Sequence, residues 1–267
     1  MLQVWGSSVL LRLALAALLC ASAFAQEITV AAAADMSAAL SGLVDAYSKK
    51  TGHTVKLSFG ASGNLANQIR NGAPFDAFFS ADEGYPQQLV DEGLASGDTL
   101  YRYAVGKLVL WVPNESPLDL SKLGIQALLD PSVKKISIAN PATAPYGRAA
   151  ADALRQFGIY EQVSGKFVIG ENISQAAQFV ESGNAQAGLL ALSHALAPAM
   201  KGKGRYWSVP LDAYPPLNQA AVVLSKSKQQ GAAREFLEYM RTTEATSLLA
   251  GYGFSLPENH STGARPK

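Results

Sequence analysis

The chain has 267 residues, 48% hydrophobic and 16% charged, enough to bury one large core or two smaller ones. Lysine and arginine number 22 against 21 aspartate and glutamate, so there is neither the basic excess of a nucleic-acid binder nor a strong acidic bias. A single cysteine, Cys20, leaves no disulfide framework.

Residues 1–25 carry one charged side chain, Arg12, then an apolar run over 13–19 and a small-x-small end at Ala23-Phe24-Ala25. This pattern predicts a secretory signal cut after Ala25, too short for a stable membrane span. Leu19 is larger than the small residue a lipoprotein site wants before its cysteine, which argues against a lipid anchor at Cys20 without eliminating it. The expected mature chain has no cysteine and balanced charge, as suits an exported protein.

Glu27 to Ala33 reads as a buried parallel strand, followed by a helix with Met36, Leu40, Leu43, Val44 and Tyr47 on one face and Asp35 as its N-cap. Val55, Leu57 and Phe59 alternate as a second strand. A turn of small residues containing Ser62 then leads to Leu65, Ala66 and Ile69 at helical spacing. A strand feeding through glycines into a helix start leaves outward-pointing N–H groups under the positive end of the helix dipole, and this suits an anion. Taken alone, the turn also fits an ordinary connection with a serine near its cap. A strand at 75–80 and a helix at 81–94 complete a β-α-β-α-β-α series, which implies a covered parallel sheet with ligands at the carboxyl ends of its strands.

Residues 103–112 break the rhythm as one long strand that leaves the first lobe for a second. A second α/β segment follows, with strands at 135–139, 166–169 and 186–192. The loop at 140–147 and Asn172 each open a helix, so Tyr146 and the backbone N–H of Ile173 occupy two more strand-to-helix turns. By side chain alone, Tyr146 is a surface or half-buried aromatic and Ile173 is core. A proline-rich stretch from 207 ends in a strand at 220–224, the second crossover, and helices at 232–240 and 244–250 return to the first lobe. The resulting division is 26–104 for lobe one, 105–218 for lobe two, 219–258 for the return, and 259–267 as a disordered tail.

Several segments together resemble the periplasmic molybdate-binding proteins of bacterial ABC importers. They are 28–36, Phe-Gly-Ala-Ser-Gly-Asn-Leu-Ala at 59–66, Asn-Gly-Ala-Pro-Phe-Asp-Ala-Phe-Phe-Ser-Ala-Asp at 71–82, and Ser-Ile-Ala-Asn-Pro-Ala-Thr-Ala-Pro-Tyr-Gly at 137–147. Gly-Glu-Asn-Ile-Ser at 170–174, Ser-Gly-Asn-Ala-Gln-Ala-Gly at 182–188 and Tyr-Gly-Phe at 252–254 join them. The resemblance implies a type II periplasmic-binding-protein fold: α/β, two-lobed, with two crossover strands as the hinge. It implies a monomer that binds molybdate or tungstate without a cofactor or metal site and meets a membrane permease. Carried onto this chain, the ligand positions are Asp35, Ser62, Tyr146 and Ile173; a further tyrosine of some members falls at Ala191.

Asp35 departs from the family pattern. A carboxylate about 4 Å from a dianion is repelled by roughly 4 kcal/mol or more near a protein surface, so its side chain is expected to turn back and cap its own helix. Arg148 is assigned a solvated helix surface. With no lysine or arginine in these motifs, the pocket is expected to hold charge through neutral dipoles. Sulfate would then leave donors unpaired, and protonated phosphate would bring a donor to a site of donors.

Other tetrahedral oxyanions such as sulfate or phosphate are the nearest alternative. A secreted serine hydrolase is the distant one. Gly60-Ala61-Ser62-Gly63-Asn64 approaches a nucleophile elbow, but Asn64 replaces the last glycine. A base would have to come from His53, His194 or His260; His194 reads as a surface residue.

Overall fold

The computed structural model describes residues 26–257. The expected signal segment (1–25) and tail (259–267) lie outside the described residues. The chain folds as two α/β lobes, each built on a five-stranded sheet.

The first sheet has the order β2-β1-β3-β10-β4, with β1 (Glu27–Ala33), β2 (Thr54–Gly60), β3 (Ala77–Ser80), β4 (Tyr101–Gly106) and β10 (Leu217–Val223). The second has the order β7-β6-β8-β5-β9, with β5 (Leu108–Pro113), β6 (Ile136–Ala139), β7 (Phe167–Gly170), β8 (Ala187–Ala191) and β9 (Gly204–Ser208). Both repeat one plan. Three parallel strands form one side, β2-β1-β3 and β7-β6-β8, and an antiparallel strand pairs next to them, β10 or β5. The central strands are buried on both faces, which is why β1 is a run of small and β-branched apolar residues rather than an alternating pattern.

The main α-helices are α1 (Ser37–Thr51), α2 (Ser62–Arg70), α3 (Gly84–Asp91), α4 (Pro145–Gln156), α5 (Ile173–Glu181), α6 (Leu192–Leu196), α7 (Gln230–Tyr239) and α8 (Thr243–Gly251). Leu40, Leu43 and Tyr47 of α1 enter the core of the first lobe at the predicted spacing. Lys49 and Lys50 sit in its last turn, and Gly52 ends it with φ of 75°.

Two element readings change. The stretch 103–112 is two strands: β4 ends at Gly106 in the first sheet, β5 starts at Leu108 in the second, and Lys107 alone lies between them. Trp207 belongs to β9, which pairs with β5, and β10 begins at Leu217. Both connections between the lobes therefore pass close together, β4 and β10 lying side by side.

Helix α7 packs on the first sheet and α8 on α1; Phe236 of α7 is fully buried with its ring centroid 5.1 Å from Tyr47 and 5.9 Å from Phe79. Phe236→Ala is expected to cost about 3–5 kcal/mol in urea unfolding. Leu211→Ala, at a residue 61% exposed, should change stability by no more than about 0.5 kcal/mol. Similar small losses for both would contradict this packing.

Candidate functional site

The carboxyl ends of β1 and β2 in one lobe and of β6 and β7 in the other each lead into a helix start. After β1 comes a tight turn, Ala34–Met36, that carries Asp35 into α1. After β2, Ala61 leads to Ser62 at the first position of α2. After β6, Ala144 precedes Pro145 and Tyr146 at the start of α4, and after β7, Asn172 precedes Ile173 at the start of α5. One small cavity between the lobes touches all of these turns, so Asp35, Ser62, Tyr146 and Ile173 share one hollow. It encloses about 190 Å³ of space outside protein atoms, including solvent at its mouth. Ala191 ends β8 and does not line it.

The walls are neutral apart from Asp35: alanines, Gly60, Pro145, Ser62, Tyr146 and Ile173. Neither α2 nor α4 has a side-chain cap; the Gly63 N–H donates to the Thr143 carbonyl, the Gly147 and Arg148 N–H groups donate to the Ala144 carbonyl, and Pro145 has none, which leaves the N–H groups of Ser62 and Tyr146 for the cavity. The α5 start differs, because the Asn172 carboxamide oxygen accepts the N–H groups of Ser174 and Gln175. That leaves the Ile173 N–H at the cavity wall. Ser62 does not cap its helix. Its Oγ accepts the Ala81 N–H at 3.0 Å, which leaves the hydroxyl proton to donate. The arrangement can hold an anion by hydrogen bonds and helix-end dipoles.

The expectation for Asp35 is overturned. The α1 start has no side-chain cap; the Asp35 carboxyl, 2% exposed, points instead to Gln219, whose Nε2 donates to Oδ2. Gln219 is fully buried on β10. Its Nε2 also donates to the Tyr146 hydroxyl at 3.3 Å, and its Oε1 accepts from the Tyr103 hydroxyl at 2.7 Å. The Tyr146 phenol is therefore part of this network. Gly106 makes room for it, since a Cβ there would lie 2.2 Å from the Tyr146 hydroxyl. Burial pushes the Asp35 pKa up to about 6, against the opposing influence of the Gln219 amide and of the nearby Tyr146 hydroxyl and Asp35 and Met36 N–H groups. Burial, and then the charge of Asp35, hold the phenols of Tyr103 and Tyr146 well above their usual range.

Contacts across the cleft join the lobes. The Gly63 N–H donates to the Thr143 carbonyl at 2.9 Å, Ser174 Oγ to the Ala34 carbonyl at 3.0 Å, and Ser193 Oγ to the Asp35 carbonyl at 2.7 Å. Arg148 is not merely a solvated side chain. It pairs with Asp82 of the other lobe, donates to the Tyr85 hydroxyl at 3.2 Å and lies 5.5 Å from that ring's centroid. A partner 66 residues away gives no local signal in the sequence.

His194 is not a surface residue either. It is partly buried, its Nδ1 shielded without a partner, and burial lowers its pKa to about 4. Its Nε2 lies 2.9 Å from Ser174 Oγ, not at Ser62, so no Ser62–His194 pair forms. Among the described residues no group of His, Cys, Asp and Glu could hold a metal ion, and no helix is long and apolar enough to cross a membrane.

Residues 28–255 match the family model described as bacterial extracellular solute-binding protein. The chain belongs to this family. It is 41% identical over 241 residues to the molybdate-binding protein ModA of Azotobacter vinelandii, covering 90% of this chain and 94% of the relative. It is 39% identical over 232 residues to ModA of Rhodobacter capsulatus, covering 87% and 89%. Among solved structures, the periplasmic molybdate-binding protein of Azotobacter vinelandii superposes with a TM-score of 0.82 at 33% identity, over 86% of this chain and 100% of that one. The Mycobacterium tuberculosis sulfate-binding protein SubI, at 19% identity and TM-score 0.69 over 88% of both chains, shares the fold.

The cross-cleft contacts join the lobes of this solute-binding protein, so weakening them is expected to let the lobes part into an open form. A Cβ on Gly63 would meet the Thr143 carbonyl oxygen at 2.9 Å and the Tyr85 hydroxyl at 2.5 Å, so Gly63→Ala should favour the open form strongly. Arg148→Ala removes a partly exposed ion pair worth about 0.2–1 kcal/mol and should open it less. Small-angle X-ray scattering is expected to show a larger radius of gyration in that order; unchanged profiles for both would show that these contacts do not hold the lobes together.

Proposed function

We propose that the protein captures molybdate in the periplasm and delivers it to the permease of an ABC importer. The observation that carries this reading is the cavity at the joint of the lobes, neutral apart from Asp35, where Ser62, Tyr146 and Ile173 bring hydrogen-bond donors from both sides. The two ModA relatives, each aligned over most of its length, give the ligand its chemical identity.

In this reading the Ser62 hydroxyl and the N–H groups of Tyr146 and Ile173 hold the tetrahedral dianion. Closure removes water and strengthens these neutral dipoles. Tungstate, alike in size and charge, binds as molybdate does. The protein acts as a monomer without cofactor or catalysis, is exported by a signal cut after Ala25, and passes its cargo on by hinge opening at the permease.

Isothermal titration calorimetry of the purified protein tests this. Molybdate and tungstate should bind with similar affinity, sulfate much more weakly because a smaller anion leaves donors unpaired. Ser62→Ala should weaken molybdate binding about tenfold or more, the loss of one hydrogen bond to a charged group. Equal affinity for sulfate and molybdate, or full affinity in Ser62→Ala, would contradict the assignment.

A further inference from the structure

Asp35 is the one charged side chain on the cavity wall, and its two oxygens are treated differently. Oδ2 accepts from Gln219, while Oδ1 is buried with no hydrogen-bond partner. A buried carboxylate oxygen left unpaired is costly. A dianion brought into the same hollow would add a like-charge conflict. A proton on Oδ1 relieves both: it neutralises the carboxyl and makes Oδ1 a donor like the Ser62 hydroxyl.

We propose that Asp35 binds the oxyanion as a neutral carboxylic acid, its Oδ1–H donating to an anion oxygen, so that capture takes up one proton. This inference rests on the oxyanion-binding reading given above. The balance is simple. An open form with ionised Asp35, one dianion and one proton from solvent become a closed complex in which that proton lies between Oδ1 and the anion. No covalent bond changes other than this O–H. The Gln219 amide is fixed for the task, because Tyr103 occupies its Oε1 and leaves Nε2 to face Oδ2. Asp35 is thus a residue of selectivity: it favours an anion oxygen that accepts.

The groups around the Asp35 carboxyl leave it as the one that changes charge. β10 presents Gln219, β4 presents Tyr103, and α4 presents Tyr146; the two phenols stay protonated through neutral pH. The turn at Asp35 also meets α6, which presents Ser193 and His194, the latter neutral above about pH 4. α2 and α5 bring Ser62 and Ile173 to the same cavity. Asp82, which also acts on Tyr103, is paired with Arg148.

The sign follows from linkage. In the open, hydrated form Asp35 has an ordinary carboxylate pKa of about 3.9. Burial on closure raises it to about 6, and a neighbouring dianion raises it further. The closed complex then binds more protons than the open form between these values, so affinity rises as pH falls through that window.

Calorimetry of wild type with micromolar molybdate, in buffers of unlike ionisation enthalpy from about pH 5.5 to about pH 8.5, counts the protons. About one proton per oxyanion should be taken up where Asp35 is ionised in the open form and protonated in the complex. Between the open-form pKa of about 3.9 and the Asp35 pKa of the complex, the dissociation constant should rise about tenfold per pH unit, and it should level off above the latter. Asp35→Asn should bind with a flat pH profile and no proton uptake, whereas Ser62→Ala should bind more weakly at every pH yet keep the wild-type slope. Wild type that binds molybdate with no proton uptake and a flat profile would overturn this inference and leave the molybdate reading standing. No binding of molybdate or tungstate by wild type at any pH would overturn both.

Discussion

A doubly charged guest held without a cation demands neutral donors brought together before the guest arrives. Each single dipole is weak, so several must converge from different chain segments and water must be kept out. The two lobes meet this constraint by ending their parallel strands at a common hollow and starting helices there. Small residues make the approach possible. Alanines line much of the cavity, and Gly63 lets the Thr143 carbonyl come within hydrogen-bond distance across the cleft.

The joint beneath the cavity follows from the same demand. Both crossover segments send a buried polar side chain under the site, Tyr103 from β4 and Gln219 from β10, and these meet Asp35 of one lobe and Tyr146 of the other. Moving either lobe therefore disturbs hydrogen bonds that are fully shielded when the cleft is shut. Gly106, at the last position before the chain changes lobes, is where a side chain would collide with that network. In the proposed cycle, closure on the guest and the burial of Asp35 are one event.

Much of this was legible in the sequence because strand–turn–helix connections are local. The apolar face of α1 and the Asn172 cap before Ile173 need only neighbouring residues to be read, and the four turns were identified from such windows. What was misread depends on partners far along the chain. Residues 103–112 look like one apolar strand, and only sheet pairing shows the change of lobe at Lys107. The edge strand β9 has no strong apolar run, so only its pairing with β5 marks it as a strand. An acid before a helix ordinarily caps it, and for Asp35 that local rule lost to Gln219, 184 residues away. His194 and Arg148 were likewise misplaced because their partners, Ser174 and Asp82, come from other segments.

A crystal structure of the molybdate-soaked protein, with anomalous data collected at a molybdenum edge, tests the central claim most directly. The account predicts one strong anomalous peak between the lobes, with its oxygens within hydrogen-bond distance of Ser62 Oγ and of the backbone nitrogens of Tyr146 and Ile173. A peak held by lysine or arginine side chains, or located away from the hollow between the lobes, would contradict it.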